Sequence, residues 1–393
     1  MLKSFVITLL GLTLGLVVGF LLITHFQSVS YPSLVLSSPA PKAKKEVLGF
    51  LPYWFINKAK SDYSGSITTL DYFSLTIDKD GTILKSTNPI ELEPGYLALT
   101  SGKLDPFFAN AKSKNIKLSL TVFDGETDSI NELISDPVIH ADNLIKDIAP
   151  IMSQYGFSDL NLDIEGTAVA SPSAQINYQS FVSQLHKRIL AQNLSLSSDI
   201  IPVDFIKQDH LVVPKNLAQY FDKIIVMAYD FHSPSSFVTG PVAPLYGAGT
   251  IAEFDTQVAV NAALYDFDSS KILLGIPFYG YSWETIDNFE RAAIIPSSAI
   301  IESNSDAEKL LANCATCSAY FDETAQEKYI VYKNPETNTF QQIFYPDAKG
   351  IQSKIDFVNG NNLGGLAIWA LGYESNTTTN SILFPIQNFL LHH

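Results

Sequence analysis

From residue 46 onward, short apolar runs of strand character alternate with longer stretches in which apolar residues recur at helical spacing. The runs fall near 46–53, 68–77, 116–123, 158–165, 194–202, 223–230, 271–279 and 363–370, which makes eight strands. Helical spacing fills 104–114, 129–155, 171–192, 252–267 and 350–359. Strand alternating with helix predicts a parallel sheet. Right-handed crossovers close eight such units into a (β/α)8 barrel, with its active site at the C-terminal strand ends. The stretch from about 284 to 345 is too long for a plain loop and holds a hairpin pattern, 329–333 and 341–345 flanking Asn-Pro-Glu-Thr-Asn. Residues 381–393 pattern as a short amphipathic helix packed on the barrel.

Ahead of the barrel, Phe5 to Thr24 is a run of 20 residues without a charge. That is long enough to cross a bilayer as a helix of about 30 Å, and longer than the roughly 7–15-residue apolar core of a cleaved signal peptide. Ser28-Val29-Ser30 nevertheless offers a small-residue cleavage site. The expected organisation is a transmembrane anchor or signal segment over 1–26, a flexible Ser/Pro/Lys linker over 27–45, and a barrel domain over 46–393.

The chain has 393 residues, 46% of them apolar, ample for one large barrel core. Its formal charge of −15 argues against nucleic acid or anionic lipid headgroups as partners, since either needs a positive surface. A neutral polymer fits better, and the 12% of Phe, Trp and Tyr is compatible with ring stacking on sugars. Cys314 and Cys317 are the two cysteines, spaced as a metal half-site, a redox pair or a local disulfide. No second pair accompanies them and the seven histidines are scattered, so neither a structural metal nor a cofactor is expected. A disulfide is the reading if the domain is exported.

Candidate chemistry concentrates in Gly156-Phe157-Ser158-Asp159-Leu160-Asn161-Leu162-Asp163-Ile164-Glu165. Period-two alternation puts Asp159, Asn161, Asp163 and Glu165 on one face of a strand and Leu160, Leu162 and Ile164 on the other. A strand so patterned is expected to border solvent. Asp163 and Glu165 lie about 7 Å apart along it. Crowded carboxylates resist joint ionisation, so one can stay protonated near neutral pH and act as a general acid.

This segment resembles the Asp-Gly-x-Asp-x-Asp-x-Glu signature of family 18 glycoside hydrolases on the fourth barrel strand. Glu165 and Asp163 align with the last two acids. Asn161 replaces the preceding Asp, as in the peptidoglycan-acting, spore-lytic branch, and Ser158-Asp159 stands for Asp-Gly. Four further segments match in order. Val47 to Trp54 looks like the first strand and its aromatic exit. Ile224 to Asp230 is similar to the sixth-strand Met-x-Tyr-Asp motif. Leu274 to Gly280, followed by Trp283, resembles the seventh strand, with Tyr281 where the family often has Arg. Gly364 to Trp369 looks like the eighth. The family's Ser-x-Gly-Gly is absent from the third strand, where Ser119 to Gly125 stands. The resemblance also implies a small α+β insertion between strands 7 and 8.

The activity implied is retaining hydrolysis of β-1,4 bonds next to N-acetylglucosamine, of peptidoglycan or chitin type, without an enzymic nucleophile. Glu165 would protonate the glycosidic oxygen while the sugar's own acetamido oxygen attacks the anomeric carbon. Asp163 would accept the acetamido N–H and stabilise the oxazolinium ion, with Asn161 hydrogen-bonding Asp163. Tyr229 would donate to the acetamido carbonyl and Asp230 orient the sugar. Trp369 would form the floor; Met227 and Tyr53 complete the substrate-binding set. Met227 is equally ordinary barrel core, Trp54, Tyr279, Tyr281 and Trp283 are outer-subsite or core residues, and His232 reads as structural. The enzyme is placed outside the cytoplasm because such a polymer is outside. A non-catalytic, lectin-like protein on the same barrel is the competing reading; it would not need the acid that Glu165 preserves.

Overall fold

The computed structural model describes residues 44–60, 62–166, 169–374 and 381–393. The apolar run at 5–24 and the linker before residue 44 lie outside them. Among the described residues, no helix is long and apolar enough to cross a membrane.

Eight parallel strands close into a barrel: β1 (Glu46–Pro52), β2 (Thr69–Thr76), β3 (Lys117–Asp124), β4 (Asp159–Ile164), β5 (Ser195–Ile200), β6 (Lys223–Val226), β7 (Ile272–Pro277) and β13 (Gly365–Trp369). Each pairs with its sequence neighbour, and β13 pairs β1 to close the ring. This is the (β/α)8 architecture. Two expected elements differ. The helix read over 129–155 is two, Thr127–Leu133 and Pro137–Tyr155, because Pro137 cannot continue the preceding turn and instead begins the next helix. The sixth strand, read to 230, leaves the ladder at Val226, and tight contacts turn the chain: the Ala228 amide donates to the Val226 carbonyl and that of Tyr229 to Met227, both at 2.8 Å.

Helix Pro137–Tyr155 ends at Gly156, whose φ of 77° supplies the left-handed cap that launches β4. Alternate residues of the strands, such as Val47, Leu51, Leu160, Leu162 and Ile224, join the apolar shell beneath the helices. The opposite parity fills the barrel lumen, which is divided in two. Leu48, Phe50, Phe73, Ile225, Leu273 and Ala367 form an apolar half. Asp71, Ser119, Thr121, Asp159, Asn161, Asp163, Ser197 and Asp199, all buried, form a polar half on β2 to β5.

Between β7 and β13 stands a second sheet of β8 (Tyr279–Thr285), β9 (Ile300–Ser303), β10 (Ser318–Asp322), β11 (Glu327–Lys333) and β12 (Phe340–Tyr345), ordered β10-β11-β12-β8-β9 and antiparallel throughout. It begins a few residues before the expected 284 and carries helix Asn304–Asn313. Tyr320, Tyr329 and Phe344 stack across it with centroids 5.1 and 4.8 Å apart. Cys314 and Cys317 are joined in a disulfide. The C-terminal helix spans Leu383–Leu391.

Candidate active site

The polar row of β4 does not border solvent. Asp159, Asn161 and Asp163 are 3, 0 and 2% exposed, because a barrel this narrow fills its lumen with side chains while helices cover the outside. The row meets three environments as it climbs.

At the bottom, Asp159 is fully partnered. It accepts hydroxyl hydrogen bonds from Ser119 (2.8 Å), Ser195 (2.5 Å) and Ser197 (2.7 Å), and Lys223 Nζ lies 3.6 Å away. Lys223 also meets Glu46 at 2.9 Å, and the surrounding carboxylates raise its proton affinity despite burial. In the middle, Asn161 donates to Asp199 Oδ2 (2.7 Å) and Thr121 Oγ1 (3.2 Å) and accepts from Ser197 (3.0 Å). The expected bond from Asn161 to Asp163 is therefore replaced by one to Asp199 on the neighbouring strand, the next β5 residue on that face above the one in register with Asn161. Thr121 donates onward to Asp71 at 2.6 Å.

At the top, Asp163 Oδ1 is buried with no hydrogen-bond partner among the described residues. Burial raises its pKa well above the ordinary carboxylate value, and Asp199, Glu165 and Asp71 raise it further. Glu165 follows immediately, half-buried where β4 ends, its amide donating to the Asp124 carbonyl at 3.0 Å. Burial, then the charge of Asp230, pushes its pKa up, so it is suited to carry a proton.

Tyr229 and Asp230 arrive from the turn after β6. Asp230 adopts φ 60° and its Oδ1 accepts from Tyr279 (2.5 Å) and Tyr281 (3.0 Å), so a tyrosine pair holds its carboxylate. Tyr229 is half-buried; burial and the surrounding carboxylates hold its hydroxyl protonated, a donor at any ordinary pH. Gly275 makes this turn possible. A Cβ there would stand 2.6 Å from the Val226 carbonyl oxygen and 3.1 Å from the Tyr229 ring. Met227 is buried beside them.

Trp369, half-buried at the end of β13, meets Phe73, Phe50 and Trp54 edgewise at 4.6, 5.5 and 6.4 Å. This aromatic floor spans the apolar half of the lumen. Trp54, 46% exposed, belongs to it; Tyr53 packs instead against the outer core, its ring on the edge of Trp54 at 4.8 Å. Tyr279, Tyr281 and Trp283 are buried in the core of the insertion sheet. His232 is buried with Nδ1 2.8 Å from the Pro241 carbonyl. A separate concavity at the opposite end of the barrel, lined by Glu46, Thr69 and Lys117, lies at strand starts, away from these residues. Among the described residues, no group of three or more His, Cys, Asp or Glu could hold a metal ion.

The structure therefore brings together Asp163, Glu165, Tyr229, Asp230 and Trp369 at the C-terminal face, with Asn161 and Met227 beneath. Asp71, Asp199, Lys223 and Phe73 are part of the same arrangement and were not singled out from the sequence. Their signal was present in weaker form: Thr69, Asp71 and Phe73 share a parity, as do Ser197 and Asp199.

The chain is 22% identical over 348 residues to the cortical fragment-lytic enzyme of Bacillus subtilis (strain 168), covering 86% of this chain and 69% of that protein. It is 27% identical over 287 residues to probable chitinase 10 of Drosophila melanogaster, covering 67% of this chain and 12% of that much longer protein. The crystal structure of Ostrinia furnacalis Group IV chitinase in complex with allosamidin superposes with a TM-score of 0.76 at 18% identity, covering 88% of this chain and 98% of that one. The family described as Glycosyl hydrolases family 18 matches residues 46–374, so this chain belongs to that family and is a glycoside hydrolase.

Proposed function

We propose that the enzyme hydrolyses β-1,4 linkages of N-acetylglucosamine-containing glycans with retention, the substrate's acetamido group serving as nucleophile. The observation that carries this reading is Asp163, a buried carboxylate with an unpartnered oxygen, two residues below a proton-holding Glu165. A carboxylate left without a cation is costly unless something positive arrives. An oxazolinium ion formed beside it supplies that charge in the transition state and not before.

In the first step Glu165 gives its proton to the glycosidic oxygen and the leaving sugar departs. The acetamido oxygen bonds to the anomeric carbon as that bond breaks. Asp163 accepts from the acetamido N–H, and the Tyr229 hydroxyl donates to the acetamido oxygen and holds it in line. Trp369 lies beneath the reacting ring. In the second step Glu165, now a carboxylate, takes a proton from water as that water opens the oxazolinium ring. Two inversions at the anomeric carbon give net retention.

Relatives named for cortical fragments and for chitin share the scaffold. Asn161 tilts the reading toward glycan of peptidoglycan type. The test is to incubate the protein with chitin oligomers and with peptidoglycan and to weigh the products by mass. A thiazoline mimic of the cyclised intermediate is expected to inhibit, and polymers bearing a 2-hydroxyl in place of the acetamido group are expected to stay intact. Rapid hydrolysis of a plain glucoside polymer, with a covalent sugar trapped on Asp163, would refute the mechanism.

The reading also places the enzyme outside the cytoplasm, tethered or released by its N-terminal apolar run. The Cys314–Cys317 disulfide supports an oxidising compartment. Protease added to intact cells should degrade the barrel domain of a tethered form; a domain protected until lysis, and absent from the medium, would overturn this placement.

A further inference from the structure

Position 161 carries an amide, which cannot share a proton with Asp163 as a same-strand carboxylate there could. The neighbouring strand provides one. Asp199 is the β5 residue in register with Asp163. Both are buried, and Asp163 Oδ1 and Asp199 Oδ1 lack hydrogen-bond partners among the described residues. The other oxygen of Asp199 accepts from Asn161 Nδ2 at 2.7 Å. Adjacent buried carboxylates without a cation cannot both ionise, so the two must hold a proton between them.

We propose that Asp199 is the positioning partner of Asp163: the pair holds one proton, on Asp163 at rest, and that proton passes to Asp199 Oδ1 as positive charge develops on the bound sugar. The inference rests on the substrate-assisted reading above. The resting assignment follows from the hydrogen bonds. Asn161 donates to Asp199 and so favours the anion there, whereas the groups acting on Asp163 are all acids. The transfer breaks one O–H bond and forms another, needs no outside reagent, and leaves Asp163 anionic beside the cation that its charge stabilises.

The remaining charged neighbours fit this inventory. Asp71 on β2 accepts from Thr121, and burial pushes its pKa up to about 7. Asp159, four residues below Asp163 on β4, is paired with Lys223, which also holds Glu46. Glu165 and Tyr229 face the pair from above, the first as an acid and the second as a protonated hydroxyl, and Asp230 acts on those two. Burial is the largest cause of the raised proton affinity at Asp163, ahead of Asp199. Removing Asp199 alone would therefore leave Asp163 still holding its proton, with an amide on either side and no partner in register to take it.

The test uses full-length Asp199→Asn, Asn161→Asp/Asp199→Asn and wild type. Asp199→Asn should lower kcat about tenfold, the rate equivalent of one unit of misplaced proton affinity, with KM nearly unchanged. The double variant, with a carboxylate restored on β4, should recover most of that loss. Thermal midpoints measured against pH give a readout that needs no substrate. A pair whose folded proton affinity is raised stabilises the fold below the ordinary carboxylate pKa and loses that contribution as pH rises through the raised value. Wild type should thus lose stability with rising pH more steeply than Asp199→Asn. A purely structural role predicts instead a lower midpoint at every pH.

Unchanged kcat in Asp199→Asn, a double variant no faster than the single one, or parallel pH–stability curves would each overturn the proposal. Should the single variant fail to fold, wild type and the double variant are compared directly, and a double variant with less than about a tenth of wild-type kcat overturns it. If wild type itself cleaves no acetamido-bearing glycan, the glycosidase reading fails on its own, while the pH–stability curves still decide whether the pair shares a proton.

Discussion

Asp159 and Asp163 are the same residue type on the same face of one strand, four positions apart, and both are buried. Their company differs completely. Asp159 has three serine hydroxyls and a lysine; Asp163 has Asp199, Glu165 and Asp71. The lower end of the lumen is thus arranged for charge already present, with donors and a cation compensating desolvation. The upper end is arranged for charge that has yet to arrive. Burial alone does not distinguish a structural acid from a functional one; the sign of its neighbours does.

The largest expected effect lies at the upper end. Glu165→Gln should lower kcat by about 10²–10⁴, the usual contribution of a positioned general acid, because the amide cannot supply a proton to the leaving oxygen. The thermal midpoint should hold, since Glu165 is half-buried and no hydrogen bond of its side chain anchors the fold in the structure described. Turnover within twofold of wild type, measured by product mass on acetamido-bearing oligomers, would move the acid role elsewhere.

At the lower end the loss should appear in stability. Lys223→Met removes the cation from Asp159 and Glu46 at once and leaves Asp159 buried without charge compensation. Breaking a buried pair from one side typically costs about 3–5 kcal/mol. Denaturant unfolding should show that loss, with the surviving folded fraction retaining its kcat. A stability change below about 1 kcal/mol would mean that the three serine hydroxyls suffice and that the lysine contributes little.

Much of this contrast was legible in the chain, for identifiable reasons. Strand parity alone puts Asp159, Asn161 and Asp163 on one face, and a (β/α)8 succession puts Glu165, Tyr229, Asp230 and Trp369 at strand exits. The direction of that face is not legible there, because alternation of polar and apolar residues looks the same whether the polar side meets water or a filled lumen. The partners were harder still. Lys223, Asp71 and Asp199 lie on other strands, and only the barrel's closure and register bring them against β4. Sequence leaves Tyr279 and Tyr281 as outer-subsite or core residues; the turn after β6 brings Asp230 onto their hydroxyls, which local sequence does not specify. Likewise Tyr53 and Trp54 are adjacent, and only the packing of the first turn decides that Trp54 joins the floor.

The smallest expected effect is also the sharpest discriminator, because one substitution should act with opposite signs at the two ends. Asp163→Asn replaces a carboxylate whose proton affinity is raised by burial and by acidic neighbours. Such a group stabilises the fold only below the ordinary carboxylate pKa, and that contribution is lost as pH rises through the raised folded value. An amide does not titrate, so the variant should match or exceed wild-type stability at neutral pH, by a margin of order 1 kcal/mol or about 2 °C in thermal midpoint. The margin should widen as pH rises. Asp159→Asn should instead lower the midpoint, since Lys223 loses one of its two acidic partners and the serine donors lose a carboxylate acceptor. Calorimetry of both variants from acid to alkaline pH reads the two signs directly. An Asp163→Asn protein less stable than wild type at every pH would mean that its carboxylate is anchored after all, and the difference between the two ends of β4 would then be one of position and not of charge.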